Sequence, residues 1–307
     1  MQVELVSELD SRDEFARLTG EWITGVRDLL FPGFEENLSR GLLPFSPPDP
    51  PAGYWILGRP AALKANIYVQ RYPHDSLGRG ATYSGRSWEK LVDGLAEAYP
   101  FRVSLLLSAV DDTGKAAGSG SSLLIGVRRD ADSPGWVRFE ASPPPDIVDV
   151  SGSPQLQREL VSFVREWVAK VKTCYGHVTD DADSLATALE RATGRYSWDT
   201  IPRCREALRG YSWVTVCPAE LAARLGGSIG LERTGAFCAV AEVAGGSVFL
   251  QATPAFDEYD GAAMRRVFEA LAPVLLPGRV KEPEGGGWLG RVVTGVDAAD
   301  YPTGRDL

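Results

Sequence analysis

The run Tyr175-Gly176-His177-Val178-Thr179-Asp180-Asp181 is the densest gathering of groups in this chain that can carry a proton or meet a cation, and Asp183 follows closely. A histidine beside carboxylates has the composition of an acid–base pair, or of a metal site that recruits further ligands from elsewhere in the fold. The same residues have a purely structural reading. Gly176 would supply the positive φ that ends a helix, His177 would interact with the helix C-terminus, and Thr179 and Asp180 would cap the next segment. Both readings stand at this point.

Three other constellations invite chemistry. Gly226-Gly227-Ser228-Ile229-Gly230 matches G-x-S-x-G, which serves nucleophilic catalysis when the serine sits on a strand-to-helix turn and a histidine follows later in the chain. His74 and His177 both lie upstream and the motif follows a short helical segment, so it reads as a glycine-rich helix stop. Gly114-Lys115 and Gly118-Ser119-Gly120-Ser121 do not satisfy G-x-x-x-x-G-K-[ST] and join two strands instead of opening a helix, so they read as a loop and not a phosphate cradle. Cys174, Cys204, Cys217 and Cys238 form no C-x-x-C pair, which argues against a zinc ribbon or a dense disulfide framework. Cys217 and Cys238, flanked by Val, Ala and Phe, read as small buried hydrophobes. Among the aromatics, Trp198 sits in an irregular segment before Ile201-Pro202 and would be an interface anchor if exposed. Tyr211 and Trp213 alternate on one strand face and read as core.

The elements that would position these residues follow from periodicity. The first thirty residues read as a helix: Phe15, Leu18, Trp22, Val26 and Leu29 recur at spacings of three and four, with Ser11 and Glu14 as a capping box and Phe31-Pro32-Gly33 as the stop. Residues 43–60 are Pro-rich and read as a surface connector that Tyr54 and Trp55 hold against the body. Residues 87–99 read as a helix capped by Ser87. Residues 101–110, 122–128 and 135–142 read as an antiparallel meander. Ser153-Pro154 opens a helix with a broad apolar stripe through Leu160, Val164, Trp167 and Val171. From Gly210 a second pass begins: strand 211–217, helix 218–225, strand 236–243, a Gly245-Gly246 turn, strand 247–253 and helix 259–275.

The chain has 307 residues, 44% hydrophobic and 24% charged, an ordinary globular composition. No window approaches the roughly 18 consecutive apolar residues of a membrane helix. The N-terminal stretch, with Glu4, Glu8, Asp10 and Asp13, has neither the basic start nor the apolar core of a secretory signal, so the expected location is the cytoplasm. The net charge of −9 gives no support to phosphate-backbone binding and suits a basic protein partner.

The order Leu208-Arg209-Gly210-Tyr211-Ser212-Trp213-Val214-Thr215, Pro218 to Leu225-Gly226-Gly227, Gly235-Ala236-Phe237 and the Gly-Gly hairpin ending Leu250-Gln251-Ala252-Thr253, preceded by Tyr175-Gly176-His177, resembles the bacterial immunity-type proteins of the DUF3396 group. The resemblance covers about residues 85–280. It implies a cytoplasmic protein that binds a cognate toxin tightly and blocks its active site or substrate groove, and an acidic body fits a basic nuclease toxin.

The expectation is an α+β protein of two similar antiparallel sheet-plus-helix units packed as a two-layer body. Its parts would be an N-terminal helix and connector over 1–84, a first unit over 85–205, a second over 206–280, and a C-terminal arm over 281–307. The expected function is non-catalytic binding of a cognate protein toxin or other protein partner, with no nucleic acid and no membrane, and without a cofactor. No catalytic, cofactor-binding or metal-ligating residue is assigned. Tyr175, His177, Asp180, Asp181 and Trp198 are the candidate interaction or functional residues. Two alternatives remain: a scaffold subunit of a bacterial assembly, and an enzyme of unrecognised type working through the Tyr175 to Asp181 corner.

Overall fold

The computed structural model describes residues 1–41, 59–75, 78–117, 122–144, 147–181, 186–280 and 290–301. Most of the Pro-rich connector, the Gly118 to Gly120 loop and Asp183 lie outside the described residues.

In chain order the first elements are β1 (Gln2–Glu8), α1 (Arg12–Leu30), α2 (Phe34–Ser39), β2 (Ala62–Gln70), β3 (Arg79–Thr82), α3 (Gly85–Ala98), β4 (Arg102–Val110), β5 (Ser122–Arg129), β6 (Trp136–Ser142) and α4 (Pro154–Lys170). There follow β7 (Thr173–Thr179), α5 (Ala188–Ala192), α6 (Ser197–Thr200), β8 (Val214–Cys217), α7 (Ala219–Arg224), α8 (Gly227–Arg233), β9 (Ala239–Glu242), β10 (Val248–Gln251) and α9 (Gly261–Leu271). The fold class is α+β with antiparallel strand pairing. The chain divides into two compact units, one made of Met1 with Leu9–Leu156 and the other of Gln2–Glu8 with Gln157–Leu307. The division falls near the start of α4 and not at the boundaries after 84 and 205 read from the sequence. The reason is that β7 hydrogen-bonds to β1 and β8, which ties residues 157–205 and the N-terminal strand to the second unit.

In the first unit the strands run β3-β2-β4-β5-β6. The meander of β4, β5 and β6 is the one the alternation predicts. Val103, Val127 and Phe139 lie in register, as do Leu105, Ile125 and Ala141, and all six are buried. Helix α1 covers this face. Ser11 caps it by accepting from the Glu14 amide, while the Glu14 carboxylate takes the N–H of Asp10. Trp22 is fully buried, lies 5.7 Å from the Phe139 ring and donates its indole N–H to the Glu140 carbonyl, so truncating it to alanine would cost about 3–5 kcal/mol. Two sequence readings are corrected in this unit. Residues 62–70, for which the sequence reading has no strand, form β2, which pairs with β4 along its whole length. Helix α3 is capped by Ser84 and not Ser87, and Ser87 instead closes the capping box from the N3 position.

In the second unit the strands run β1-β7-β8-β10-β9. Residues 2–8 are strand, not the start of the first helix, because Val3, Leu5 and Val6 are held on both faces of a buried strand. The Gly-Gly hairpin is as expected, with Gly245 and Gly246 at φ 73 and 79 joining β9 to β10. Tyr211 and Trp213 are buried as predicted, although they precede β8. Gly226 joins α7 to α8 and the rest of G-x-S-x-G lies within α8, so no strand leads into that serine. Cys217 is buried, whereas Cys238 is exposed. Within the stretch read as a surface arm, residues 290–301 pack onto this unit, with Val292, Val293 and Ala298 buried and Tyr301 edge-on to Phe268.

Candidate functional site

The Tyr175 to Asp181 run is not a helix end. Helix α4 stops at Lys170 and the run forms most of β7, buried along its entire length, so Gly176 has extended backbone and closes no helix. Its lack of a side chain serves packing instead: a Cβ there would stand 2.4 Å from Leu5 Cδ2 and 3.0 Å from Val216 Cγ2. The capping role read for Thr179 and Asp180 belongs to Thr187, whose hydroxyl accepts from the Glu190 amide to start α5.

Strand periodicity puts Tyr175 and His177 on one face, and the register places Glu4 of β1 directly opposite His177. Tyr175 Oη lies 2.9 Å from His177 Nδ1, so the two side chains share one hydrogen bond. Over the Tyr175 ring, 5.0 Å from its centroid, sits the guanidinium of Arg209. Arg209 is fully buried. It makes a fork with Glu190, Nε to Oε1 at 2.8 Å and Nη2 to Oε2 at 3.1 Å, and donates from Nη1 to Glu4. Glu190 also accepts from the Thr187 amide at 2.6 Å and from the Thr200 hydroxyl, while Thr187 donates to the Arg209 carbonyl at 3.0 Å. A buried cation is thus enclosed by two buried carboxylates, of which Glu190 accepts further bonds from Thr187 and Thr200.

This environment decides the protonation states. Burial lowers the His177 pKa against the pull of Glu4, which keeps the imidazole neutral. Burial raises the Tyr175 phenol well above its ordinary value, and it stays protonated. For Arg209 burial acts against the charge, but Glu190 and Glu4 outweigh it and hold the guanidinium well above its ordinary value.

Asp180 and Asp181 face a different neighbourhood at the end of β7. Arg291 donates from Nε to Asp180 at 2.8 Å and from its amide to Asp181 at 3.0 Å, and its guanidinium lies over the Phe256 ring. The two aspartates therefore fasten residues 290–293 to the unit. Among the described residues no group of three or more His, Cys, Asp or Glu is placed to hold a metal ion.

The structure thus brings Tyr175 and His177 together, and joins them to Glu4, Glu190 and Arg209, which the sequence did not single out. One signal was present: Arg209 is a lone charge within an otherwise apolar and small stretch from Ala207 to Trp213. With Arg209 at 0% and His177 at 3% exposure, the cluster is buried. Trp198 lies elsewhere in the unit. It is 56% exposed on α6 and stacks on Tyr196, 55% exposed, with ring centroids 4.3 Å apart and planes 7° from parallel.

No family model matches the chain, and no curated protein matches it. A solved structure does. The T6SS protein PA0821 of Pseudomonas aeruginosa is similar over 94% of this chain and 79% of its own, at a TM-score of 0.50 and 11% identity. At that identity the likeness is one of fold. Among the described residues, no helix is long and apolar enough to cross a membrane.

Proposed function

We propose that this chain is a non-catalytic binding protein of the immunity type, which neutralises a cognate bacterial toxin by direct contact in the cytoplasm. The observation that carries the reading is the extent of the fold likeness: nearly the whole chain follows a protein described as belonging to a type VI secretion system. The resemblance of residues 85–280 to the DUF3396 group points the same way. The net charge of −9 supports a basic partner, since complementary potentials speed association and fix orientation.

The burial of Tyr175, His177 and Asp181 supports binding over catalysis. The histidine is neutral and hydrogen-bonded inside the fold, and the aspartates hold a neighbouring segment. The stacked pair Tyr196 and Trp198 offers the kind of rigid aromatic anchor that dominates interface energetics. Deleting the gene in its own host tests the proposal. Cells lacking it should become sensitive to a toxin encoded beside it, and full resistance would refute the reading.

The same fold likeness also favours a scaffold subunit of a secretion assembly. Light scattering on the purified chain separates the two: stable self-association in a host with no adjacent toxin gene would support the scaffold.

A further inference from the structure

The first unit contains a cleft of about 780 Å³ whose composition runs against the acidity of the chain. It is formed where the start of α1, the end of α3 and the ends of β2 and β5 converge. Its walls carry three arginines, Arg12, Arg71 and Arg129, and two tyrosines, Tyr72 and Tyr99, against the single carboxylate of Glu97. In a protein of net charge −9 that is a local excess of cations.

The cleft is built and not merely lined. Tyr99 caps α3 with its backbone in the left-handed region at φ 39, a conformation that favours glycine and costs a tyrosine about 1–2 kcal/mol. What the position gains is a ring. Phe15 packs edge-on against it at 5.2 Å, Arg129 lies over it at 3.9 Å and Arg12 at 5.1 Å. Arg129 is fixed by donating from Nε and Nη2 to the carbonyls of Pro100 and Tyr99, both at 3.0 Å. Arg71 and Tyr72 stand on a rigid turn: the Asp75 carboxylate accepts from both of their amides, and the Gln70 side chain donates to the carbonyls of Tyr72 and Asp75. Tyr72 is 57% exposed, and its ring stacks on His74 with the planes 7° apart. Among the described residues the guanidiniums of Arg12 and Arg71 have no hydrogen-bond or ion-pair partner, and Arg129 Nη1 has none.

We propose that this cleft binds a small phosphate ester bearing a planar ring, of the nucleotide class. The guanidinium forks of Arg12 and Arg71 match phosphate oxygens in geometry and shed their hydration readily, and with the fixed charge of Arg129 beside them they suit a ligand of more than one negative charge. The exposed faces of the Tyr72 and His74 pair offer a stacking platform for the ring. The volume lies within the range of small-molecule sites, roughly 300–1,000 Å³. This site is independent of the immunity reading, and either can fail alone.

Isothermal titration of the full chain with ADP at low ionic strength tests the proposal. The expected result is saturable one-to-one binding, weakened about ten-fold by Arg12→Gln and by Arg71→Gln, each of which removes a charge-assisted hydrogen bond. Tyr72→Ala is expected to weaken it several-fold. All three side chains are exposed, so the variants should melt with the wild type. Inorganic pyrophosphate should bind about ten-fold more weakly than ADP for want of a ring to stack. Absence of saturable binding at millimolar ADP, or an affinity that the arginine variants leave unchanged, would overturn the site. Equal affinity for pyrophosphate and ADP would overturn its stacking half.

Discussion

Arg209 is the residue on which the centre of the second unit depends. Its side chain is fully buried and joins Glu4, 205 positions away in sequence, to Glu190. Arg209→Met would leave two carboxylates buried without their cation, and a loss of about 3–5 kcal/mol in denaturant unfolding is expected. Converting all three partners to neutral groups of similar size should restore much of that loss, because an apolar replacement of a buried ion pair is often neutral. His177 makes a second residue-level prediction. Its folded pKa is below the unfolded value of 6.5, so from that value downward the unfolded chain takes up a proton that the folded chain refuses. Stability should therefore fall as pH drops below about 6.5, by at most about 1.4 kcal/mol per pH unit from this group, and His177→Gln should flatten that part of the profile. A wild-type profile already flat between pH 6.5 and 5 would contradict the neutral buried imidazole.

At the scale of elements, β1, β7 and β8 pack closely enough that the absence of one Cβ matters. Gly176→Ala would press on Leu5 and Val216, and a destabilisation of about 1–3 kcal/mol is expected from chemical denaturation. Ser84→Ala should cost about 1 kcal/mol by removing the α3 cap. These two positions also mark what the sequence could tell. The meander of β4, β5 and β6 was legible because Val103, Leu105 and Leu107 alternate with residues of the other face, and α1 was legible because its apolar stripe has helical spacing. Strand β7 was not, because all seven of its residues are buried and Thr-Cys-Tyr-Gly-His-Val-Thr carries no period to read. Strand β1 was hidden for a related reason, with charged Glu4 inside a buried stretch whose partner, Arg209, no local spacing rule can find. The candidate site was therefore visible as a cluster of residue types, while its role as one side of a buried ion network depends on contacts distant in sequence.

Tyr175, His177 and Asp181 are buried in the second unit, while Trp198 and Tyr196 of that unit face solvent as a stacked pair. Trp198→Ala should leave unfolding stability within about 0.5 kcal/mol, as surface substitutions do. If the pair anchors a partner, the same change should weaken the complex by about 2 kcal/mol or more, roughly thirty-fold in affinity. The most direct test of the proposed immunity function is a titration of the purified chain, by calorimetry, with any protein toxin encoded beside its gene. The account predicts a tight one-to-one complex that abolishes toxin activity and is weakened by Trp198→Ala. A toxin that remains fully active and unbound in the presence of saturating protein would contradict it.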